Sequence, residues 1–250
     1  MMGKKEGISV ENSIRDIHNI EKRKLSKNLI SYNDPKAHAS EAYRSLRTNI
    51  GFLGVDGQLK SVVVTSPGQA EGKTTTCANI AVCMAQAGRK VLLLECDLRK
   101  PKIHKYFGLH NDKGLTDIIV NNVESESVIK QVDEIENLYI ISCGLLPPNP
   151  TEILESTKMI NLTNKLKENY DLVIMDSPPV GELTDAAIIS KMSDGVILVL
   201  ASGEVNIEVA RHAKIALENV NAKILGVVLT KLGRHSGSSY YYKYRYYYYE

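Results

Sequence analysis

From residue 60 onward the chain alternates short, wholly apolar runs with longer stretches in which apolar residues recur every three or four positions. The runs Ser61–Thr65 (SVVVT), Val91–Glu95 (VLLLE), Leu172–Asp176 (LVIMD), Val196–Ala201 and Ile224–Thr230 are rich in β-branched residues and leucine. They lack the polar alternation of a one-sided strand and predict strands buried on both faces. Residues 138–142 form a weaker sixth run. Helical spacing predicts helices over 73–86, 151–168, 184–192 and 206–219, with Gly88 placed to stop the first of them. Strands and helices that alternate in this way predict an α/β fold, a mostly parallel sheet with helices on both faces. In such sheets ligands bind beyond the carboxyl ends of the strands.

Upstream the pattern weakens. Residues 1–35 are expected to form an N-terminal arm, polar and rich in Lys and Glu over its first thirty positions. Its basic cluster Lys22-Arg23-Lys24 could touch anionic lipid, although a solvated arm is the plainer reading. Ser40 is a good N-cap for a helix to about Ile50. That helix would put Ala42, Tyr43, Leu46 and Ile50 on one face and Glu41, Arg44 and Arg47 on another. One domain is expected over 36–232. After Gly233 come a Gly/Ser linker and Tyr240, Tyr241, Tyr242, Lys243, Tyr244, Arg245, Tyr246, Tyr247, Tyr248, Tyr249 and Glu250, holding eight of the 13 tyrosines. This low-complexity segment offers no evident face to bury, so 233–250 is expected to be a mobile tail.

Composition narrows the function classes. A 250-residue chain with 43% hydrophobic and 24% charged residues can bury a full α/β core. A net charge of +2 argues for no nucleic-acid partner. The four cysteines, Cys77, Cys83, Cys96 and Cys143, have no metal-ligand spacing, and Cys77, Cys83 and Cys96 read as packing residues, a pattern that fits a reducing compartment. No apolar run approaches the ~20 residues of a membrane span. No leader pattern opens the chain. The expected location is cytoplasmic, with any membrane link made through a partner.

The chemistry sits at the strand ends. Ser66-Pro67-Gly68-Gln69-Ala70-Glu71-Gly72-Lys73-Thr74-Thr75 lies between an apolar strand and a helix. Phosphate binding needs backbone N–H groups at a helix N-terminus and one lysine, and Gly68 through Thr75 supply that set. Lys73 would reach the β- and γ-phosphates of ATP, and the Thr74 hydroxyl would bind Mg²⁺. The strict phosphate-loop spacing fails at its first position, Pro67, with Gly68 one residue later. Two further strands end in carboxylates, Glu95-Cys96-Asp97-Leu98-Arg99 and Asp176-Ser177-Pro178-Pro179. Carboxylates beside buried strands need a cation, and Mg²⁺ on phosphates takes one or two of them.

Together these residues resemble the bacterial tyrosine kinases of capsule and exopolysaccharide synthesis, relatives of the partitioning and septum-placement ATPases. The matching motifs are the phosphate loop, the apolar run ending Glu95-Cys96-Asp97-Leu98-Arg99, the run ending Asp176-Ser177-Pro178-Pro179, the Glu41/Arg44/Arg47 triplet, the stretch Pro147-Pro148-Asn149-Pro150-Thr151-Glu152-Ile153-Leu154, and the tyrosine cluster. The likeness spans residues 36 to 249. It implies Lys73, Glu95, Asp97 and Asp176 as catalytic residues. It implies Thr74, Asp97 and Asp176 at Mg²⁺, with Glu95 or Asp97 beside the attacking phenol. The acceptors would be Tyr240, Tyr241, Tyr242, Tyr244, Tyr246, Tyr247, Tyr248 and Tyr249. It further implies a ring-forming homo-oligomer held through Glu41, Arg44 and Arg47. The implied partners are a separate membrane-spanning polysaccharide co-polymerase activator, which would recruit the chain to the inner face of the membrane, and a phosphotyrosine phosphatase. Three positions depart from the family pattern: Gln69-Ala70 for Pro-Gly, Glu95 for Asp, and Thr230 for an Asn at the end of the last strand.

Two other readings compete. A partitioning-type ATPase switch would carry a second lysine early in the loop, and residues 66–72 contain none. A non-enzymatic adaptor would use the tyrosines only for adhesion. The Asn161-Leu162-Thr163 glycosylation pattern has no use in a reducing compartment, and His104 and His212 read as surface residues.

Overall fold

A computed structural model of the chain describes residues 24–53 and 59–232. The tail tyrosines, Lys22 and Arg23 lie outside the described residues. The elements in chain order are α1 (Ile30–Asn33), α2 (His38–Leu53), β1 (Ser61–Thr65), α3 (Lys73–Gln86), β2 (Val91–Glu95), α4 (Ile103–Tyr106), α5 (Leu115–Val120), β3 (Lys130–Gln131), β4 (Leu138–Ile141), α6 (Pro150–Glu155), α7 (Thr157–Asn169), β5 (Leu172–Asp176), α8 (Asp185–Ser190), β6 (Val196–Ala201), α9 (Ile207–Glu218) and β7 (Ile224–Thr230). The expected α/β architecture is present. Seven strands form one sheet in the order β3-β4-β2-β5-β1-β6-β7, parallel except for β3.

Every residue of β1, β2 and β5 is buried, as their uninterrupted apolar runs require. One core joins the sheet to α3, with Leu29, Ile50, Val64, Ile80 and Leu93. A second covers the other face, with Val63, Leu94, Leu154, Leu162 and Leu217. All four cysteines are free and buried, in keeping with a packing role. Gly88 stands just past α3 with φ 84°, the left-handed stop that glycine adopts without strain.

Three expectations are corrected. The arm of residues 1–35 is anchored at its end: Leu29 is wholly buried, and the Asn79 side chain accepts from Ser31 N–H at 2.9 Å and donates to Asn28 C=O at 2.9 Å. Ser40 does not cap α2, which begins two residues earlier. Its hydroxyl donates instead to Asp34 C=O at 2.6 Å and Ile30 C=O at 3.0 Å, locking α1 to α2. Ala42 is exposed, so the buried face of α2 is narrower than expected. Finally, 151–168 is two helices. Ser156, at φ −65° and ψ 149°, breaks the first and caps the second by accepting from Met159 N–H.

Candidate active site

The strand order places β2, β5 and β1 side by side, and their carboxyl ends bring four polar side chains together. Lys73 Nζ lies 2.8 Å from Asp97 Oδ2 and 3.6 Å from Asp176 Oδ1. The Thr74 hydroxyl donates to Asp176 Oδ2 at 2.6 Å. Burial alone would lower the Lys73 pKa, but Asp176 and then Asp97 outweigh it and hold the ammonium well above its usual range. Burial raises the Asp176 carboxyl, and Lys73 and Thr74 pull it back.

The loop that presents Lys73 is shaped by contacts the sequence does not announce. Gly72 has φ 95°, a left-handed conformation that favours glycine, and a Cβ there would press on Thr230 Cγ2 at 3.2 Å. Ala70, at φ 61°, holds a left-handed conformation with a methyl group. Glu71 turns inward. Its carboxylate accepts from Gly68 N–H at 2.5 Å and Ala201 N–H at 3.3 Å, pinning the loop to the end of β6. Burial raises the Glu71 pKa. Thr230 donates to Glu71 C=O at 2.6 Å, so this residue grips the loop. Gln69 is exposed and bridges Lys100 (2.7 Å) and Glu182 (2.8 Å) across the mouth. Thr75 shares a hydrogen bond with the Tyr106 hydroxyl at 2.6 Å.

The two candidate bases differ. Asp97 faces Lys73, and its other oxygen accepts from Lys100 N–H at 2.9 Å. Glu95 is wholly buried and directed at backbone: Oε2 accepts from Lys102 N–H at 2.7 Å and Ile103 N–H at 2.9 Å, and Oε1 from Asp97 N–H at 3.3 Å. Burial first, and Asp176 second, push its pKa well above the ordinary carboxylate range. Glu95 therefore organises residues 96–103 rather than reaching toward a substrate.

Asp176 Oδ1 is a buried oxygen with no hydrogen-bond partner. An uncommitted carboxylate oxygen beside a threonine hydroxyl is a hard-oxygen donor pair, and it fits Mg²⁺ carried on phosphates. Among the described residues no group of three or more His, Cys, Asp or Glu side chains could hold a metal by itself.

On α2, Arg44 pairs with Glu41 at 2.7 Å, while Arg47 donates weakly to Cys83 C=O at 3.4 Å. All three lie away from the Lys73 cluster. His212 is exposed as expected. His104 is only half-exposed, with a buried Nδ1 that has no partner. A polar cluster missed in the sequence joins Arg99, Asp185 and Thr151. Arg99 Nε donates to the buried Asp185 at 2.8 Å, and Thr151 donates to the same carboxylate at 2.8 Å. Asn79, a lone polar residue in an otherwise apolar stretch of α3, was a signal that could have been read. A cavity of about 210 Å³ beside Gln86, Tyr32 and Glu134 lies at the far end of α3 and takes no part in the site.

Residues 62–223 match the AAA domain family. The chain is 42% identical over 220 residues to the tyrosine-protein kinase YwqD of Bacillus subtilis, covering 87% of this chain and 92% of that one. Among solved structures, the chimerical protein CapA2B2 superposes with a TM-score of 0.79 at 38% identity, covering 84% of this chain and 92% of the other. The septum site-determining protein MinD of Pyrococcus horikoshii, solved with Mg-ADP, gives 0.61 at 25% identity, covering 70% and 72%. A fold of the MinD type with this lysine, threonine and aspartate cluster at its phosphate loop, and 42% identity over most of a tyrosine-protein kinase, places the chain in one group: it belongs to the bacterial tyrosine-protein kinases of the P-loop fold.

Proposed function

We propose that this kinase transfers the γ-phosphoryl group of ATP to tyrosines of its own 240–249 cluster, in trans between copies of an oligomer. The observation that carries this reading is the convergence of Lys73, Thr74, Asp97 and Asp176 at adjoining strand ends. Thr74 and Asp176 would hold Mg²⁺, which would supply charge neutralisation at the phosphates. The Lys73 ammonium, kept charged by its two aspartates, leaves them to neutralise the transferring group. Asp97 then has a free oxygen to take the phenol proton, a step that matters because free tyrosine ionises only near pH ~10. The backbone of Gly68, Gln69, Ala70, Glu71, Gly72 and Thr75 shapes the phosphate cradle.

The acceptor segment, counted with its Gly/Ser linker, starts three residues past β7. Its seventeen residues from Gly233 to Tyr249 could span on the order of 50 Å extended, enough to enter a neighbouring copy. Glu41, Arg44 and Arg47 would hold neighbours in a ring, and accumulated phosphate charge would loosen it. Capsular or exopolysaccharide synthesis and export would be the process regulated. A separate membrane-spanning activator would recruit the chain to the inner membrane face, and a phosphotyrosine phosphatase would reset it. Among the described residues no helix is long and apolar enough to cross a membrane.

Incubation with γ-labelled ATP tests the reading. A chain with all eight tail tyrosines changed to phenylalanine should label the tail of a Lys73→Met chain when the two are mixed, while neither labels alone. Release of free phosphate without tyrosine label would instead support an ATPase switch.

A further inference from the structure

A lysine from outside the phosphate loop reaches across its mouth. Within residues 66–75 Lys73 is the one cation that the loop itself brings to a nucleotide. It is already flanked by Asp97 at 2.8 Å and Asp176 at 3.6 Å. Even with a divalent cation added, these carboxylates leave a single positive charge facing a triphosphate. A further cation would count for much here, because phosphoryl transfer is catalysed mainly by positioning and charge neutralisation.

Lys100 is placed to be that cation. It follows β2 on the loop that carries Asp97, and its N–H donates to Asp97 Oδ1 at 2.9 Å, while Asp97 Oδ2 faces Lys73. Its backbone therefore lies one carboxylate's width from the Lys73 ammonium. Its exposed side chain crosses to the phosphate loop, where the ammonium donates to Gln69 Oε1 at 2.7 Å. That partner is a neutral amide, held from its other side by Glu182 Oε2, which accepts from Gln69 Nε2 at 2.8 Å. Glu182 stands on the loop after β5, where Gly181 abuts Pro67 C=O so closely that a Cβ would come within 2.4 Å. Both ends of the bridge are thus fixed to walls of the site. An exposed hydrogen bond from an ammonium to an amide is weak, and a phosphate oxygen is the stronger acceptor for the same donor. The four-carbon stem of a lysine can turn from one to the other without backbone movement.

We propose that Lys100 is a second phosphate-binding cation: parked on Gln69, it leaves that amide for the γ-phosphate of ATP. The chain thereby tells ATP from ADP, whose phosphates are served by Lys73 and the loop N–H groups. In the transfer step the Lys100 ammonium stays protonated. It neutralises charge on the phosphoryl group while the bond to the β,γ-bridging oxygen breaks, the bond to the phenol oxygen forms, and ADP leaves. Only this transfer step rests on the kinase reading above.

Calorimetric titration of the full chain in Mg²⁺, with ADP and with a non-hydrolysable imido-linked ATP analogue, tests the assignment. Lys100→Met should weaken binding of the analogue on the order of tenfold and of ADP by less than about twofold. Lys100→Arg keeps a charged donor and should hold the analogue within about threefold of the parent. Gln69→Leu removes the competing acceptor and should tighten the analogue about two- to threefold. Equal weakening of ADP and analogue by Lys100→Met overturns the proposal. So does weakening of the analogue by Gln69→Leu, which would make the bridge a strap that shapes the mouth. Tyrosine labelling from γ-labelled ATP is read on the same proteins. Full labelling by Lys100→Met refutes its part in the transfer step alone. A parent that labels no tyrosine refutes the kinase reading and leaves the binding result standing.

Discussion

Replacing Lys73 with methionine keeps most of the side-chain volume and removes a charge from between two buried carboxylates. Its Nζ lies 2.8 Å from Asp97 and 3.6 Å from Asp176. At an effective dielectric near 20, each contact is a gross attraction of roughly 5 kcal/mol. The net loss is smaller, because an abandoned carboxylate takes up a proton. Removing one member of a buried pair costs about 3–5 kcal/mol, which for a chain of this size lowers Tm by roughly 10 °C. The pH dependence has a definite sign. Burial already raises Asp176 above its ordinary 3.8, and Lys73 is the main influence opposing it. Without the lysine the folded state holds a proton that the unfolded state releases above about pH 4, so the variant loses stability as pH rises. Thermal melts of parent and variant in EDTA should show a gap that is wider near pH 8 than near pH 5. A gap under about 1 kcal/mol, or one equal at both pH values, would refute the claim that Lys73 compensates these carboxylates.

Glu95 gives a related test: its raised pKa means that stability falls with pH between its ordinary 4.5 and its folded value. Urea melts of Glu95→Gln should therefore lack this slope, and the variant should gain on the parent as pH rises; a constant difference counts against it. Ala70→Gly relieves a left-handed alanine at φ 61° and should stabilise the chain by about 0.5–1 kcal/mol after the entropy of glycine is subtracted, again by urea melts. Ser156→Ala removes the cap on α7, where Ser156 Oγ accepts from Met159 N–H at 3.1 Å, and should cost about 1 kcal/mol with tyrosine labelling unchanged.

The strands were legible because each is a bounded apolar run. The errors arose where a local pattern met a tertiary partner. Ile153, Leu154, Met159, Leu162 and Leu166 keep one apolar face across Ser156, so periodicity alone gave no warning that the backbone there is extended. Ser40 has the chemistry of a cap, yet its hydroxyl is spent on carbonyls of α1 and the following turn. The helices α4 and α5 are too short for periodicity to register. In the site, Lys73, Thr74, Asp97 and Asp176 stood out because strand ends are where an α/β sheet collects polar groups. The inward turn of Glu71, and the Thr230 contact that closes the loop, depend on β6 and β7 arriving more than a hundred residues later.

Register explains why the two strand-end carboxylates behave differently. Glu95 and Asp176 are direct partners across β2 and β5, so their side chains leave the sheet on the same face, one strand apart. A slip of one residue in either strand would send one of them to the opposite core. Two neighbouring carboxylates in a dry site cannot both ionise freely. Asp176 has an ammonium at 3.6 Å and a hydroxyl donor at 2.6 Å, whereas Glu95 has backbone N–H groups, the repulsion of Asp176 and a weaker pull from Lys73. Asp176 is therefore the better-compensated carboxylate, where a cation on the phosphates can meet it, while burial and Asp176 hold the Glu95 pKa raised. A buried Glu95 whose two oxygens are both engaged by backbone N–H groups is poorly suited to accept a proton from a phenol. That division favours Asp97, one turn of chain further and facing Lys73, as the base in the proposed transfer.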